Sequence, residues 1–401
     1  MTQPIHLRAE GLTPVLAVSD GDELLDMLDR VMLGRRMVPV SGPSPDDLII
    51  RIERDSRGWA SSVEEGQPAI QYRDAVAAAC GIVAALYKQH TLIDRQSLIL
   101  HAAGVRIGGG LVLITGPYRA GKTVVTTACA AAGLQVFSDD IIPLDPVSLN
   151  AVAPGLAIRL RLPLPETLDP ATRGFISAHS IAESARYVYV APPPDRLATG
   201  GVQAPIHGVV TLRRIEHAPG DTPPGLERLT PGDALAETIR RNFARETGAG
   251  RILDAFDSIV ERSPCLALTY SRAEDAAAML RRAFEGAMPE IPQVATTTPP
   301  RRKRSRRILT SGTRLTRTPG VGVRERGEHA FLTDPQEFVI FNLNAVGLGV
   351  WRALEQPTSF EALTGLFAAA FPDQAPEDIA ADLSAVLRDL AAARLVQVDS
   401  G

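Results

Sequence analysis

The chain has 401 residues, more than one hydrophobic core usually organises, so we expect two or three domains. Its formal net charge is −4 and 45% of its residues are hydrophobic, which fits a globular protein. It shows no N-terminal signal pattern and no uninterrupted apolar run of about 18 residues, so we expect a cytoplasmic protein without a membrane partner. Its three cysteines lie far apart, which argues against a disulfide framework or a zinc site.

Residues 1–95 form the first predicted segment. They contain a strand-like run, LIIRIER (48–54), and a helix-like stretch, DAVAAACGIVAALYKQHTLI (74–93). We predict an α/β segment that packs on the domain following it.

The stretch SLILHAAGVRIGGGLVLITG (97–116) contains two β-type runs around three consecutive glycines. Glycine-rich pairs between apolar runs favour a tight turn. We therefore predict a hairpin that leads into the next loop.

That loop, GPYRAGKT (116–123), matches the pattern G-x-x-x-x-G-K-[ST]. Glycines allow backbone N–H groups to surround phosphate oxygens at a helix N-terminus, where the helix dipole favours anions. We predict that Lys122 reaches the β- and γ-phosphates of ATP and that the Thr123 hydroxyl binds Mg²⁺. The predicted nucleotide-binding residues are Gly116, Arg119, Ala120, Gly121, Lys122 and Thr123.

Within LQVFSDDIIPLD (134–145), a short apolar stretch is followed directly by Asp139 and Asp140. Magnesium held against a triphosphate needs a carboxylate, which usually lies at the end of a neighbouring strand. One carboxylate could face the metal while the other faces an incoming hydroxyl.

These motifs together resemble the HPr serine kinase/phosphorylase family and its kinase-only relatives. The resemblance rests on LILHAAGVRIGGGLVLITGPYRAGKT followed by FSDD. It implies that His101 assists near the γ-phosphate, that one aspartate is the general base and that the other contacts Mg²⁺. The residues leave the division of roles open; we prefer Asp139 as the base and Asp140 as the metal ligand. Relatives in this family often form multimers, so a homo-oligomer stays open.

Two departures from the family pattern narrow the expected chemistry. The loop centre is PYRA (117–120) instead of a Gly-Ser-Gly type, and the family's later acidic-Ile-Arg-Gly signature is absent from the sequence. We therefore expect kinase activity without phosphorolysis, on a substrate other than HPr. Arg119, Arg159 and Arg161 are candidates for stabilising charge during phosphoryl transfer.

Strand and helix patterns continue to residue 290, in GVVTLRRI (208–215), DALAETIRRNFA (233–244), PCLALTY (264–270) and AEDAAAMLRRAFEG (273–286). We predict that residues 96–290 form one ATP-binding α/β domain of the P-loop type. Residues 291–313, rich in Pro, Thr and Arg, are predicted to be a linker.

Residues 314–401 are predicted to be a separate, winged-helix-like α+β domain. Three short strands (320–326, 329–335 and 337–344) precede three helices (345–355, 359–371 and 375–398) with apolar residues at i, i+3 and i+4.

The tail resembles the PqqD family through its pattern of "LN", "VWRAL", a Ser-capped helix and a final leucine-rich helix. This resemblance implies a recognition element for the leader peptides of ribosomally synthesised and post-translationally modified peptides (RiPPs). A peptide would add as a strand beside 337–344. The candidate peptide-binding residues are Phe338, Ile340 and Asn342.

The leading hypothesis is a kinase that phosphorylates a Ser or Thr hydroxyl of a RiPP precursor captured through its leader. An alternative is a nucleotide-gated peptide chaperone or scaffold for another RiPP-biosynthesis enzyme. A nucleic-acid role is disfavoured because the basic run 301–307 falls in the predicted linker and the last helix has few basic residues.

Overall fold

The computed structural model describes residues 3–63, 68–215, 223–243, 246–286, 291–292, 309–310 and 312–399. Its contacts divide this mixed α/β chain into two compact units. The first unit comprises Met1–Leu229, Glu237–Thr247 and Ile259–Gln293, and the second comprises Thr230–Ala236, Gly248–Ser258 and Val294–Gly401. Most of the predicted linker 291–313, including the basic run 301–307, lies outside the described residues.

The chain begins with an α/β layer. Its elements are β1 (Ile5–Ala9), β2 (Val15–Val18), α1 (Asp22–Val31), β3 (Met37–Pro39), β4 (Ile49–Asp55), β5 (Gly58–Ser62), β6 (Ile70–Tyr72) and α2 (Ala75–Ile93). The strands form a sheet in the order β3-β1-β2-β4-β5-β6, and only the β2–β4 pair is parallel among the described pairings of this sheet. Strand β4 and helix α2 lie where the sequence predicted them.

Helix α2 is the one described helix long and apolar enough to cross a membrane by length and composition. Asp74 is its N-cap residue, and the Asp74 carboxylate accepts a hydrogen bond from the Ala77 backbone N–H at 2.7 Å. Its residues Ile82, Leu86 and Tyr87 are fully buried in the core beneath the first sheet. This packing is that of a core helix.

The middle of the chain supplies the remaining elements of the first unit, together with two helices, α5 and α6, that contain residues of both units. The elements are β7 (Leu98–Leu100), β8 (Ala103–Ile107), β9 (Gly110–Thr115), α3 (Lys122–Ala131), β10 (Gln135–Ser138), β11 (Ile142–Leu144), β12 (Ala151–Val152), β13 (Ile158–Arg161), α4 (Pro170–His179), β14 (Ser180–Glu183), β15 (Tyr187–Val190), β16 (Gln203–Ala204), β17 (Ile206–Arg214), β18 (Gly225–Arg228), α5 (Pro231–Ile239), α6 (Ala249–Arg262), β19 (Cys265–Tyr270) and α7 (Ala273–Glu285).

The central sheet has the order β10-β8-β9-β17-β19-β18, with β9, β17 and β19 mutually parallel. Strands β8 and β9 form the predicted hairpin, in which Ile107 pairs with Gly110. Helices α3, α4 and α7 contribute to a core on this sheet. The loop between β9 and α3 therefore starts from a buried parallel strand.

Two smaller sheets accompany the central one, in the orders β16-β12-β11-β7 and β13-β15-β14. The first predicted β-type run of 97–116 is split between sheets, because β7 ends at Leu100 and β8 begins at Ala103. His101 thus lies at a junction between strands. The sequence pattern, apolar on both sides of the histidine, did not indicate this break.

The tail consists of β20 (Arg314–Arg317), β21 (Gly322–Arg326), β22 (His329–Thr333), β23 (Ile340–Leu343), α8 (Ala345–Ala353), β24 (Thr358–Ser359), α9 (Phe360–Ala370), α10 (Pro376–Ala392) and β25 (Val396–Asp399). Its sheets have the orders β21-β22-β23 and β24-β20-β25. The three helices pack with them around a leucine-rich core that includes the buried Trp351.

Two predicted tail elements have different bounds in the structure. The helix predicted over 375–398 ends at Ala392, Arg394 has a φ of 58°, and the last residues pair with β20 as a strand. The strand predicted over 337–344 begins at Ile340, because Glu337 has a φ of 58° and the Asp334 carboxylate caps the turn before it.

Candidate functional site

The 116–123 loop leaves β9 at Thr115 and enters α3 at Lys122. Gly116 has a φ of 148° and Gly121 a φ of 88°, conformations that side chains rarely adopt. A Cβ atom at Gly121 would also lie 2.2 Å from the Tyr270 hydroxyl oxygen. The Tyr270 hydroxyl donates a hydrogen bond to the Ala120 carbonyl. Tyr270, the last residue of β19, therefore stabilises the loop. The two glycines thus allow a bend at the start of α3.

Lys122 is the first residue of α3 and is largely buried, with 9% of its surface exposed. Burial lowers the pKa of its ammonium group, and the negative charges of Asp140 and Asp139 partly oppose that shift. The lysine therefore sits in a confined environment beside two carboxylates.

Asp139 and Asp140 follow β10, and their environments differ. Asp139 is buried, with 6% of its surface exposed, whereas 36% of the Asp140 side chain is exposed. Burial first, and then the nearby Asp140 charge, raise the pKa of Asp139 to about 6. Hydrogen bonds from the Thr123 side chain and the Arg159 backbone N–H (3.4 Å) favour its ionised form.

Asp140 links His101 and Arg159. Its carboxylate lies 3.2 Å from the His101 Nδ1 atom and 3.3 Å from an Arg159 guanidinium nitrogen. The His101 backbone N–H donates to the Arg241 carbonyl at 2.7 Å, which fixes the junction between β7 and β8. Burial lowers the pKa of His101, although the negative charge of Asp140 opposes the shift.

The structure thus brings Lys122, Thr123, Asp139, Asp140 and His101 to one place, at the loop and the end of β10. Arg119, also a predicted nucleotide-binding residue, places its guanidinium 5.5 Å from the centre of the Tyr118 ring. Sequence reasoning missed Tyr270 and Arg241, which are distant in the chain and carry no local signal.

The oxygen atoms at this site fit a hard cation that also binds phosphate. Within the described residues, no group of three or more His, Cys, Asp or Glu side chains is arranged to hold a metal ion. Mg²⁺ is commonly held by one or two carboxylates together with substrate phosphates, so a hydroxyl and a carboxylate beside a glycine loop suit it. Thr123 with Asp139 provides this pair.

In the second unit, β23 pairs with β22 and is an edge of its sheet within the described residues. Ile340 and Asn342 lie on β23, and the Asn342 side-chain oxygen is 3.1 Å from His329 Nδ1. Phe338 precedes the strand, in the turn, with 81% of its surface exposed. The sequence placed all three on the edge strand; the structure keeps two there.

Comparison with known protein families identifies the domain at the C-terminal end of the chain. Residues 330–396 match the family model for coenzyme PQQ synthesis protein D (PqqD). The tail therefore contains a PqqD domain, as its sequence pattern predicted. The match covers most of the last predicted domain and none of the first unit.

Among solved structures, the Hpr(Ser) kinase/phosphatase from Coxiella burnetii matches 46% of this chain and 91% of its own length, with 15% sequence identity and a TM-score of 0.23. A likeness of that size supports no conclusion about activity. No curated protein matches the chain.

Proposed function

We propose that this protein is an ATP-dependent kinase that phosphorylates a Ser or Thr hydroxyl of a RiPP precursor, which its PqqD domain captures through the leader. The observation that carries the proposal is the convergence of Lys122, Thr123, Asp139, Asp140 and His101 at the 116–123 loop. A protein that only binds nucleotide has no need for a partly exposed carboxylate in contact with a histidine.

At the nucleotide end, backbone N–H groups of the 116–123 loop and the Lys122 ammonium bind the phosphates of ATP. Thr123 and Asp139 would hold Mg²⁺, which would supply positive charge against the negative charge of the phosphates. Asp139 suits the role of metal ligand, because its carboxylate is buried and interacts with the Thr123 side chain of the loop.

At the acceptor end, Asp140 is the general base. It accepts the proton of the Ser or Thr hydroxyl as that oxygen bonds to the γ-phosphorus and the bond to the β-phosphate oxygen breaks. His101 and Arg159 orient the carboxylate. This assignment reverses the preference drawn from the sequence, since a base must be accessible to the incoming hydroxyl and Asp140 is the more exposed of the pair.

Capture of the leader raises the rate by tethering. A core segment attached to a bound leader meets the active site at an effective concentration of roughly millimolar. The PqqD match supports this part of the proposal.

The role assignment is tested with single-turnover measurements on Asp139→Asn and Asp140→Asn, using a candidate precursor encoded beside the gene. We expect Asp140→Asn to bind Mg-ATP normally and to transfer phosphate at least about 100-fold more slowly. Asp139→Asn is expected to lose the magnesium dependence of ATP binding. The opposite pattern would return the base to Asp139, and tight ATP binding without transfer to any precursor would favour the nucleotide-gated chaperone.

A further inference from the structure

A row of alternating arginine and tyrosine side chains leads away from Asp140 in the first unit. We call it the Arg–Tyr row: Arg159, Tyr187, Arg161, Tyr118 and Arg119. The Arg159 and Arg161 guanidinium groups lie 5.3 Å and 5.8 Å from the Tyr187 ring centre, and Arg161 also lies 5.6 Å from the Tyr118 ring centre. At the start of the row, Arg159 contacts Asp140.

Arg161 is held between two aromatic rings. The neighbouring Arg119 and Arg161 guanidinium groups lower the pKa of the Tyr118 phenol. Stacking on rings fixes the plane of a guanidinium and leaves donors at its edge, the arrangement that binds a carboxylate through two parallel hydrogen bonds. Tyr118 itself is 69% exposed, so this end of the row faces solvent.

The positive charge at this end is not neutralised internally. Across the described residues, neither Arg119 nor Arg161 forms an ion pair with a carboxylate, whereas Arg159 pairs with Asp140. The exposed Arg161 guanidinium, on the same Tyr187 ring as the Arg159 that contacts Asp140, is suited to an anionic group on the substrate.

The spacing along β13 sets the position of that group. Arg159 and Arg161 are two residues apart and pair with Tyr189 and Tyr187 on β15. Two residues of a strand span about 7 Å, and an extended peptide has the same repeat. A substrate that has its hydroxyl at Asp140 and an extended backbone running along β13 would place a residue two positions away beside Arg161.

We propose that Arg161, held by Tyr118 and Tyr187, selects acceptor segments with a carboxylate side chain two residues from the phosphorylated hydroxyl. This specificity rests on the proposed kinase function and names its substrate class as acidic acceptor peptides. The other anion available at this site is a phosphate of ATP, and the test separates the two.

The test uses the full chain, Mg-ATP and matched Ala/Gly peptides with one Ser, carrying either Asp or Asn at two residues before and two residues after it. We expect wild type to prefer the Asp peptide by about 10-fold in kcat/KM, the size of one exposed charge-assisted contact. Arg161→Gln should lose this preference with the KM for ATP unchanged. Arg161→Glu should instead prefer a peptide with Lys at the same positions.

Arg57→Gln is the matched control, because Arg57 is an exposed arginine at the turn between β4 and β5, with 74% of its side chain accessible. It should keep the wild-type preference. Equal rates for the two peptides with wild type would overturn the specificity while leaving the kinase function standing. If Arg161→Gln raises the KM for ATP by the same factor with either peptide, Arg161 binds the nucleotide. That result would also overturn the proposed specificity.

Phosphorylation of neither peptide nor of a precursor would contradict the kinase function itself. The specificity is then decided by fluorescence anisotropy of the two labelled peptides. Tighter binding of the Asp peptide, lost in Arg161→Gln and kept in Arg57→Gln, would support the acidic-acceptor surface. Equal binding would overturn it.

Discussion

Burial of Asp139 makes this residue a source of instability at neutral pH. Its folded-state pKa of about 6 exceeds the ordinary value of 3.8, so between about pH 4 and pH 6 the folded protein keeps a proton that the unfolded chain has released. The free energy of unfolding therefore decreases as pH rises through that window and stays lower above it.

Replacing Asp139 with asparagine, which resembles the protonated acid, should remove this penalty. We expect Asp139→Asn to be more stable than wild type by about 1–3 kcal/mol at pH 8, with a smaller difference at pH 5. Urea unfolding at the two pH values measures it, with the exposed Asp195→Asn as a control. If Asp139→Asn is less stable than wild type at pH 8, interactions of the ionised Asp139 carboxylate outweigh the cost of burying its charge.

At the scale of elements, the 116–123 loop depends on the fit between Gly121 and Tyr270. Gly133 offers a matched comparison, because its φ of 89° equals that of Gly121 within a degree but a Cβ atom there would point into open space. Gly133→Ala should cost about 1 kcal/mol of backbone strain. Gly121→Ala should cost about 2–4 kcal/mol, because strain and overlap with the Tyr270 hydroxyl add, and should weaken ATP binding.

The double variant Gly121→Ala/Tyr270→Phe separates the two costs. Removing the hydroxyl should recover part of the stability lost in Gly121→Ala, measured as a coupling energy in a double-mutant cycle. Equal losses for Gly121→Ala and Gly133→Ala would mean that Tyr270 does not constrain the loop.

The edge strand β23 is the element expected to bind a leader. Ile340→Asp should weaken binding of the candidate precursor at least about 10-fold, because apolar side chains of an added strand lose their contact. Val323→Asp, on β21 at the other edge of the same sheet and 45% exposed, is the matched control. Isothermal titration with both variants tests the site, and equal weakening would exclude β23 as the binding edge.

The sequence predicted some local features of the first unit. Contiguous patterns located the β8–β9 hairpin and the 116–123 loop, because glycine spacing is tied to backbone conformation, but they missed the break at His101 between β7 and β8. They could not locate Tyr270, since that contact joins residues 150 positions apart. The sequence also could not show which aspartate is the base and which is the metal ligand, because the two differ in burial, which depends on the fold.

At the scale of the whole molecule, each unit has its own core, and the second includes segments from the middle of the chain. Within that unit the buried Asp257 carboxylate receives the guanidinium groups of Arg324 (3.1 Å) and Arg326 (2.6 Å). Deleting the tail would leave this carboxylate without these partners. Point variants on β23 therefore test leader capture more cleanly than truncation.

Breaking that ion-pair cluster should destabilise the second unit. Asp257→Ala leaves the partly exposed Arg324 and Arg326 without this carboxylate and should cost about 1.5–3 kcal/mol, because charge-assisted hydrogen bonds to a buried group are lost. Urea unfolding followed by tryptophan fluorescence in a Trp59→Phe background, which leaves Trp351 of the second unit, measures the effect; Asp254→Ala, which removes the exposed carboxylate paired with Arg324, is the comparison. A loss of less than about 1 kcal/mol in the free energy of unfolding for both Asp257→Ala and Asp254→Ala would contradict this prediction, since water would then replace the ion pairs without cost.

The central claim is leader-guided phosphoryl transfer, and mass spectrometry of a candidate precursor incubated with Mg-ATP tests it most directly. We predict a gain of one phosphate on a Ser or Thr of the core, absent with Lys122→Ala, and slower when the leader is removed or Ile340→Asp is used. No mass gain, although the precursor and ATP both bind, would contradict the account.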